Sequence, residues 1–139
     1  MQTIRRRILR AGGALALAML APVRAFAAWN AAAFDAKSLG DALKAINAGS
    51  AAANDGIVID APQIAENGAV VPIEVTSNIP GTTSISVLIE KNPFPLAAKF
   101  DFKEGALPYV KINAKIGETS NVRVIAEAGG KTFQAMKEV

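Results

Sequence analysis

The sequence predicts an all-β fold: an immunoglobulin-like antiparallel β-sandwich of about seven strands with an N-terminal helical segment. From residue 57 onward, short runs of alternating apolar and polar residues recur with turn residues between them. That pattern is typical of strands that follow one another in antiparallel fashion. Before residue 57 the apolar residues are spaced by three and four, as in a helix. A β-barrel is the alternative that the same strand pattern allows.

The composition limits the chemistry that the chain can perform. Its 139 residues suit one domain. The absence of cysteine and histidine excludes disulfides, thiol nucleophiles, Ser-His-Asp catalysis and zinc sites made of imidazole or thiolate. Five of the 15 Lys and Arg residues and none of the 12 acidic residues lie in residues 1–27, so residues 28–139 have a net charge of −2. This mildly acidic part gives no electrostatic reason to bind nucleic acid.

Residues 1–27 have the pattern of a cleaved export signal. A basic region over residues 5–10 precedes a short apolar run over residues 11–21, and residues 25–27 form a small-x-small cleavage site. The apolar run is about half the roughly 20 residues that a membrane-spanning helix needs. We therefore expect a signal that is removed, which leaves no membrane anchor.

The basic region is similar to a twin-arginine signal because it contains Arg5, Arg6 and Arg7 in succession. Ile4 departs from the Ser or Thr that usually precedes the pair. An arginine-rich leader for the general secretory route is the alternative. Both routes end in the bacterial periplasm.

Residues 28–56 are predicted to form a helical segment followed by an irregular linker. Ser38 is placed to cap a helix that starts at the next residue, and Asp41 would favour the N-terminal amides of that helix. One helix or two short helices both fit. Trp29 is expected to pack on the sandwich, with ligand stacking as the alternative. The apolar stripe consists of Phe34, Leu39, Leu43 and Ile46.

The most regular strand of the sandwich, predicted for residues 57–139, follows Asn67-Gly68, a pair expected to supply the backbone freedom for a chain reversal. Pro72 lies in this strand and cannot donate to a ladder. The strand is therefore predicted either at a sheet edge or with the nitrogen of Pro72 facing outward. Its core-facing residues are predicted to be Val71, Ile73 and Val75.

The other strands show the same alternation. Pro80-Gly81 suits the centre of a type II turn, and Gly129-Gly130 is predicted to turn the last hairpin. Residues 57–59 form a short strand and residues 131–139 form the last one. The core-facing residues of the strands between are predicted to be Ile85, Val87, Ile89, Ala98, Phe100, Phe102, Val110, Ile112, Ala114, Ile116, Val122, Val124 and Ala126.

Two apolar residues, Leu88 and Ile125, fall on the otherwise polar face of their strands. Scattered apolar residues are common on protein surfaces. A contiguous patch would instead be buried against a partner subunit. Both interpretations stay open at this point, and Leu88 and Ile125 are the candidate partner-binding residues.

The carboxylates give no sign of a catalytic or metal site. A glycosidase needs two of them facing each other across a cleft, and the sequence shows no such pairing. Asp55, Asp60 and Glu66 could bind calcium, but their spacing does not match the Asp-x-Asp-x-Asp loop. We therefore predict no catalytic residue, no metal and no cofactor. The carboxylates near turns or on strands are Glu66, Glu74, Glu90, Asp101, Glu104 and Glu118.

Four blocks of the sequence are typical of one family. The most specific block, residues 61–75, reads Ala-Pro-Gln-Ile-Ala-Glu-Asn-Gly-Ala-Val-Val-Pro-Ile-Glu-Val. The others are Ala-Trp followed by Ala-Phe-Asp-Ala-Lys-Ser within residues 28–38, residues 90–100 and residues 128–131. Together they resemble SoxY, the sulfur-carrier subunit of the periplasmic thiosulfate-oxidising system. The resemblance covers nearly the whole chain, including the leader.

The resemblance implies the immunoglobulin-like sandwich, a heterodimer with a SoxZ-like subunit, and a carrier without catalytic activity that serves haem-containing and hydrolytic Sox enzymes. It also implies a carrier cysteine in a flexible C-terminal Gly-Gly-Cys-Gly-Gly arm. This chain ends at Val139, inside the predicted last strand, without that arm. We expect a truncated or frameshifted sequence whose carrier cysteine lies beyond Val139. The alternative is a carrier-less periplasmic module for binding or scaffolding.

Overall fold

The computed structural model describes residues 29–139, so the predicted export signal and the first residue after it lie outside the described part. None of the helices in residues 29–139 is long and apolar enough to cross a membrane. The elements in chain order are α1 (Ala31–Asp35), α2 (Leu39–Ala45), β1 (Ala52–Ala53), β2 (Ile57–Asp60), β3 (Val71–Ser77), β4 (Thr82–Ile89), β5 (Leu96–Asp101), β6 (Tyr109–Ala114), β7 (Asn121–Ala128) and β8 (Lys131–Glu138).

The strands form two sheets, with the order β1-β8-β7-β4-β5 in the first and β2-β3-β6 in the second. All the pairs are antiparallel except β1 with β8, which run parallel. The predicted immunoglobulin-like sandwich with N-terminal helices is confirmed. The strand that the sequence does not reveal is β1, because its two alanines carry no alternation.

The main core lies between the two sheets and consists mainly of residues that the alternation predicts to face inward, but Ala98, which was predicted to join them, is only partly buried and lies outside this cluster. β3, β4 and β7 contribute its central layer, and Phe100, Phe102 and Ile112 pack against its margin. Side chains on one face of a strand all meet the opposing sheet, so a period of two is enough to define this core. The fully buried members on these three strands are Val71, Ile73, Val75, Ile85, Val87, Ile89, Val122, Val124 and Ala126.

Pro72 does not mark a sheet edge, because β3 is the central strand of the three-stranded sheet. The amide of Asn78 donates to the carbonyl of Gly56 on the β2 side, and strand alternation directs the nitrogen of Pro72 to the same side. β2 ends opposite Glu74, so no strand faces Pro72 there. The edge prediction is wrong, and the alternative of a nitrogen that faces no neighbouring strand fits the structure.

Gly68 is needed because the backbone of Ile116 lies close to it, and not because its own backbone takes a conformation that favours glycine. It is not among the glycines with positive φ, whereas Gly81 has a φ of 76°, as the predicted type II turn requires. A Cβ on Gly68 would lie 2.5 Å from the carbonyl oxygen of Ile116. The prediction for the Asn67-Gly68 pair is therefore wrong in its physical reason. The side chain of Asn67 shapes this turn by accepting a hydrogen bond from the amide of Ala69 at 3.0 Å.

The β7–β8 hairpin confirms the predicted turn. Gly129 and Gly130 have φ values of 59° and 74°, and a two-residue type I′ turn requires positive φ at both positions. Beyond β8, Val139 extends the ladder by exchanging two backbone hydrogen bonds of 3.0 Å with Ser120.

Two short helices form where one or two were expected. The side chain of Ser38 accepts a hydrogen bond from the amide of Asp41 at 3.1 Å, which confirms the predicted cap of α2. α1 has its own cap, because the side chain of Asn30 accepts from the amide of Ala33 at 3.1 Å. Both helices lie over the outer face of the five-stranded sheet.

Candidate functional site

The two predicted partner-binding residues do not form an exposed patch. Leu88 on β4 is completely buried and Ile125 on β7 is 3% exposed. They lie on the outer face of the five-stranded sheet, as their strand positions predicted. Together with Leu96 of β5, they are covered by α1 and α2. Both interpretations left open by the sequence, scattered surface residues and an exposed patch, assume exposure, and both are wrong because the chain's own helices cover Leu88 and Ile125. Alternation tells which face of a strand a side chain occupies, not which element lies above that face.

Trp29 also departs from its expected place. Its indole is 66% exposed and stacks on the ring of Phe34 in α1, with the ring centroids 4.9 Å apart. It therefore packs on the helical segment rather than on the sandwich. The same side chains line a shallow cleft of about 360 Å³ that Lys99 and Asp101 also border.

Glu90 belongs to a partly buried ion pair at the end of β4. Its Oε1 accepts hydrogen bonds from Arg123 Nε at 2.9 Å and from Arg123 Nη2 at 2.6 Å. Arg123 Nη1 also donates to the side chain of Gln134, whose Nε2 donates to the carbonyl of Ala51 at 2.9 Å. The network fastens the chain just before β1 to β7 and β8. Charge-assisted bonds of this kind give Glu90 a structural role.

A second cluster lies on the outer face of the three-stranded sheet. Lys111 Nζ donates to Glu74 Oε1 at 2.6 Å, and the hydroxyl of Tyr109 donates to Glu74 Oε2 at 2.8 Å. The hydrogen bonds from Lys111 and Tyr109 hold the pKa of the Glu74 carboxyl below its ordinary value. Glu74 in turn raises the pKa of both Tyr109 and Lys111.

Asp60 lies in the same cross-strand row, since it is paired with Glu74, which is paired with Lys111. The row therefore includes an ammonium group as well as two carboxylates. Within residues 29–139, no three side chains of the metal-ligating acidic, thiol or imidazole types are grouped so that they could hold a metal ion. The structure does not bring Asp55, Asp60 and Glu66 together as a calcium site.

The remaining carboxylates on strands and turns either form ion pairs with lysines or lie in loops. Asp101 pairs with Lys99 at 2.5 Å, and Glu118 approaches Lys91 at 3.8 Å on the surface. Glu66 and Glu104 lie in the loops that precede β3 and β6. Exposed pairs of this kind contribute little to stability.

A cleft of about 430 Å³ opens where β8 ends. Val139 lines it together with Ile116, Glu118 and Glu138, and the side chain of Ile64 at its border is 84% exposed. The cleft holds no thiol or imidazole, since the chain contains neither. Sequence reasoning missed the cleft because its walls come from the loop before β3, the turn before β7 and the end of β8.

The fold and these contacts define a class of protein: an immunoglobulin-like sandwich module with a helical layer on one sheet. The family model described as sulfur oxidation protein SoxY matches residues 43–139. The structure of the sulfur carrier protein SoxY from Chlorobium limicola f thiosulfatophilum is similar, with a TM-score of 0.69 and 40% identity over 77% of this chain and 94% of that chain. The chain belongs to the SoxY family of sulfur-carrier proteins.

The superoxide reductase (neelaredoxin) from Ignicoccus hospitalis is also similar, with a TM-score of 0.54 and 18% identity over 60% of this chain and 77% of that chain. A variant of that reductase has a TM-score of 0.53, with the same identity of 18% and the same coverage of 60% and 77%. At this identity the likeness shows the fold alone. The comparison with curated proteins gives no match.

Proposed function

We propose that this chain is the sulfur-carrier subunit of a periplasmic thiosulfate-oxidising system and that it is not itself an enzyme. The observation that carries the proposal is the 40% identity to a solved sulfur carrier protein SoxY over 94% of that chain. By family resemblance, it pairs with a SoxZ-like subunit. The haem-containing and hydrolytic Sox enzymes would load the carrier and release its cargo.

Covalent carriage needs a thiol, and residues 1–139 contain no cysteine. The family resemblance puts the thiol on a glycine-rich arm that follows the last strand. A chain that continued past Val139 would leave the sandwich beside the cleft formed by Ile116, Glu118 and Glu138. A glycine arm starting there could swing between enzymes, because glycine-rich segments are flexible and unbranched.

The second candidate is a periplasmic binding or scaffold module that pairs with a SoxZ-like subunit and carries no sulfur. The absence of cysteine from the 139 residues favours it. The two candidates share the fold and the partner, so partner binding cannot separate them. They differ in whether a sulfur adduct forms.

The intact mass of the native periplasmic protein, measured before and after thiosulfate turnover with its partners, tests the proposal. We expect a mass above that of residues 28–139 and an adduct that a reductant removes. Blocking thiols with iodoacetamide before turnover is the control and should abolish the adduct. A mass equal to that of residues 28–139 with no adduct would overturn the carrier function and support the scaffold module.

A further inference from the structure

Residues 29–50, here called the helical cover, are held together by their own hydrogen bonds. Asn30 Nδ2 donates to the carbonyl of Ala45 at 2.8 Å, which joins the start of α1 to the end of α2. The amide of Ala48 donates to the carbonyl of Leu43 at 2.7 Å and closes the last turn of α2. The cover therefore satisfies these polar groups without help from the sandwich.

The attachment of the cover to the sheet is apolar. Within residues 29–139, no hydrogen bond or ion pair joins the cover to a strand. The buried side chains that the cover contributes are alanines, and its larger apolar side chains, Phe34, Leu39, Leu43 and Ile46, are only partly buried against the same cluster. The interface joins Ala33, Ala42 and Ala48 to Leu88, Leu96 and Ile125.

This interface is separate from the core between the sheets, since the two form distinct apolar clusters. Loss of the cover would leave the main core and every strand ladder in place. Immediately after the cover, the chain is hydrogen-bonded to β8. Gln134 donates to the carbonyl of Ala51 at 2.9 Å and accepts from the amide of Asn54 at 3.0 Å.

We propose that the helical cover opens as a unit about the turn at Gly49 and Ser50 while the sandwich stays folded. Its helices have five and seven residues, which is too short to be stable alone in water. Detachment and unfolding of the cover therefore coincide, as in other sub-global opening units. Opening exposes an apolar patch of Leu88, Leu96 and Ile125 on an intact sheet.

Residues 1–139 contain no cysteine, so a protein made of these residues can be tested with single introduced thiols. Ile125→Cys places a thiol under the cover, whereas Val124→Cys, one residue earlier on the same strand, places it in the main core. The rate of thiol labelling by a small disulfide reagent is measured for both variants over a range of urea concentrations below the unfolding transition.

We expect Ile125→Cys to react at least about tenfold faster without urea and with a shallow urea dependence, because little surface is exposed on opening. Val124→Cys should react only through global unfolding, with a steep dependence. Equal rates with equal urea slopes for the two variants would overturn the proposal.

Hydrogen exchange on the unsubstituted protein tests the same inference without a substitution. The amides of Ala42 and Ile46, which bond within the cover, should exchange faster than those of the β4–β7 ladder and with a weaker urea dependence. Exchange of both sets at the global unfolding rate would show that the cover and the sandwich are one cooperative unit.

Discussion

Strand register shifts the pKa values of three side chains that are far apart in the sequence, Glu74, Tyr109 and Lys111. β3 and β6 place Glu74 directly opposite Lys111, with Tyr109 two residues earlier along β6 and on the same face. The predicted core-facing residues leave Glu74 and Lys111 on the outer faces of their strands, but one strand alone does not reveal which residue of another strand lies opposite. The contacts could therefore be read only from the structure.

The directions of these pKa shifts determine how the contribution of each group to the stability of the fold changes with pH. The pKa of Glu74 is lowered, so its contribution to stability is present above its unfolded pKa and is lost as the pH falls through the folded value. The pKa values of Tyr109 and Lys111 are raised, so their contributions are present below their unfolded values and are lost as the pH rises through the folded values. The cluster therefore favours the folded state between the carboxylate range and about pH 10.

Tyr109 is the only tyrosine of the chain, so its phenol can be titrated by ultraviolet absorbance without interference from a second one. We expect Glu74→Gln to lower the pKa of Tyr109 towards the ordinary value of about 10, since the hydrogen bond to Glu74 is the main cause of its elevation. Asp60→Asn is the control and should produce a smaller change, because Asp60 acts on Tyr109 only at a distance. An unchanged titration in Glu74→Gln would contradict this reading of the cluster.

The strands with a clear alternation of apolar and polar residues could be predicted from the sequence. An element that forms only because it pairs with a neighbouring strand could not. β3, β4 and β7 follow from alternation, which needs no knowledge of a partner strand: Ile73, Ile85 and Val124 all face inward as predicted. β1 has no period and exists because it pairs with Phe133 and Gln134 of β8. The burial of Leu88 and Ile125 was not predictable for the same reason, since the pattern within one strand does not reveal the helices that cover them.

The side chain of Gln134 hydrogen-bonds β8 to the chain that leads into β1. Replacing Gln134 therefore tests how much this attachment contributes to stability. Gln134→Ala deletes the bond to the carbonyl of Ala51 and leaves a nitrogen of Arg123 without its acceptor. We expect a loss of about 1–3 kcal/mol in the free energy of unfolding, measured in urea.

Met136→Ala is the matched control for this substitution. Met136 lies two residues further along the same face of β8 and is 54% exposed, so the change should stay within about 0.5 kcal/mol. Equal losses in the two variants would mean that the hydrogen-bond network contributes no more than a surface side chain.

At the scale of the whole molecule, the two sheets have different outer faces. The helical cover lies over the five-stranded sheet, and the three-stranded sheet carries the charged cluster around Glu74 on its outer side. The sandwich in residues 29–139 is held by aliphatic packing and strand ladders without disulfides. Its folding therefore needs no oxidising compartment, and it can be complete before export. This is compatible with the predicted twin-arginine route, which exports folded proteins, and does not distinguish it from the general secretory alternative.

The arginines of the leader provide the test of that route and of the proposed periplasmic location. Replacing Arg5, Arg6 and Arg7 together by lysine keeps the positive charge that a general secretory leader needs but removes the twin-arginine feature. We expect the variant to accumulate in the cytoplasm with its leader uncleaved, as seen by cell fractionation and immunoblotting. The control, Arg10→Lys with Arg24→Lys, should reach the periplasm at the unsubstituted level. Periplasmic accumulation of the triple variant at that level would assign the leader to the general route, and an unsubstituted protein that stays in the cytoplasm would refute export altogether.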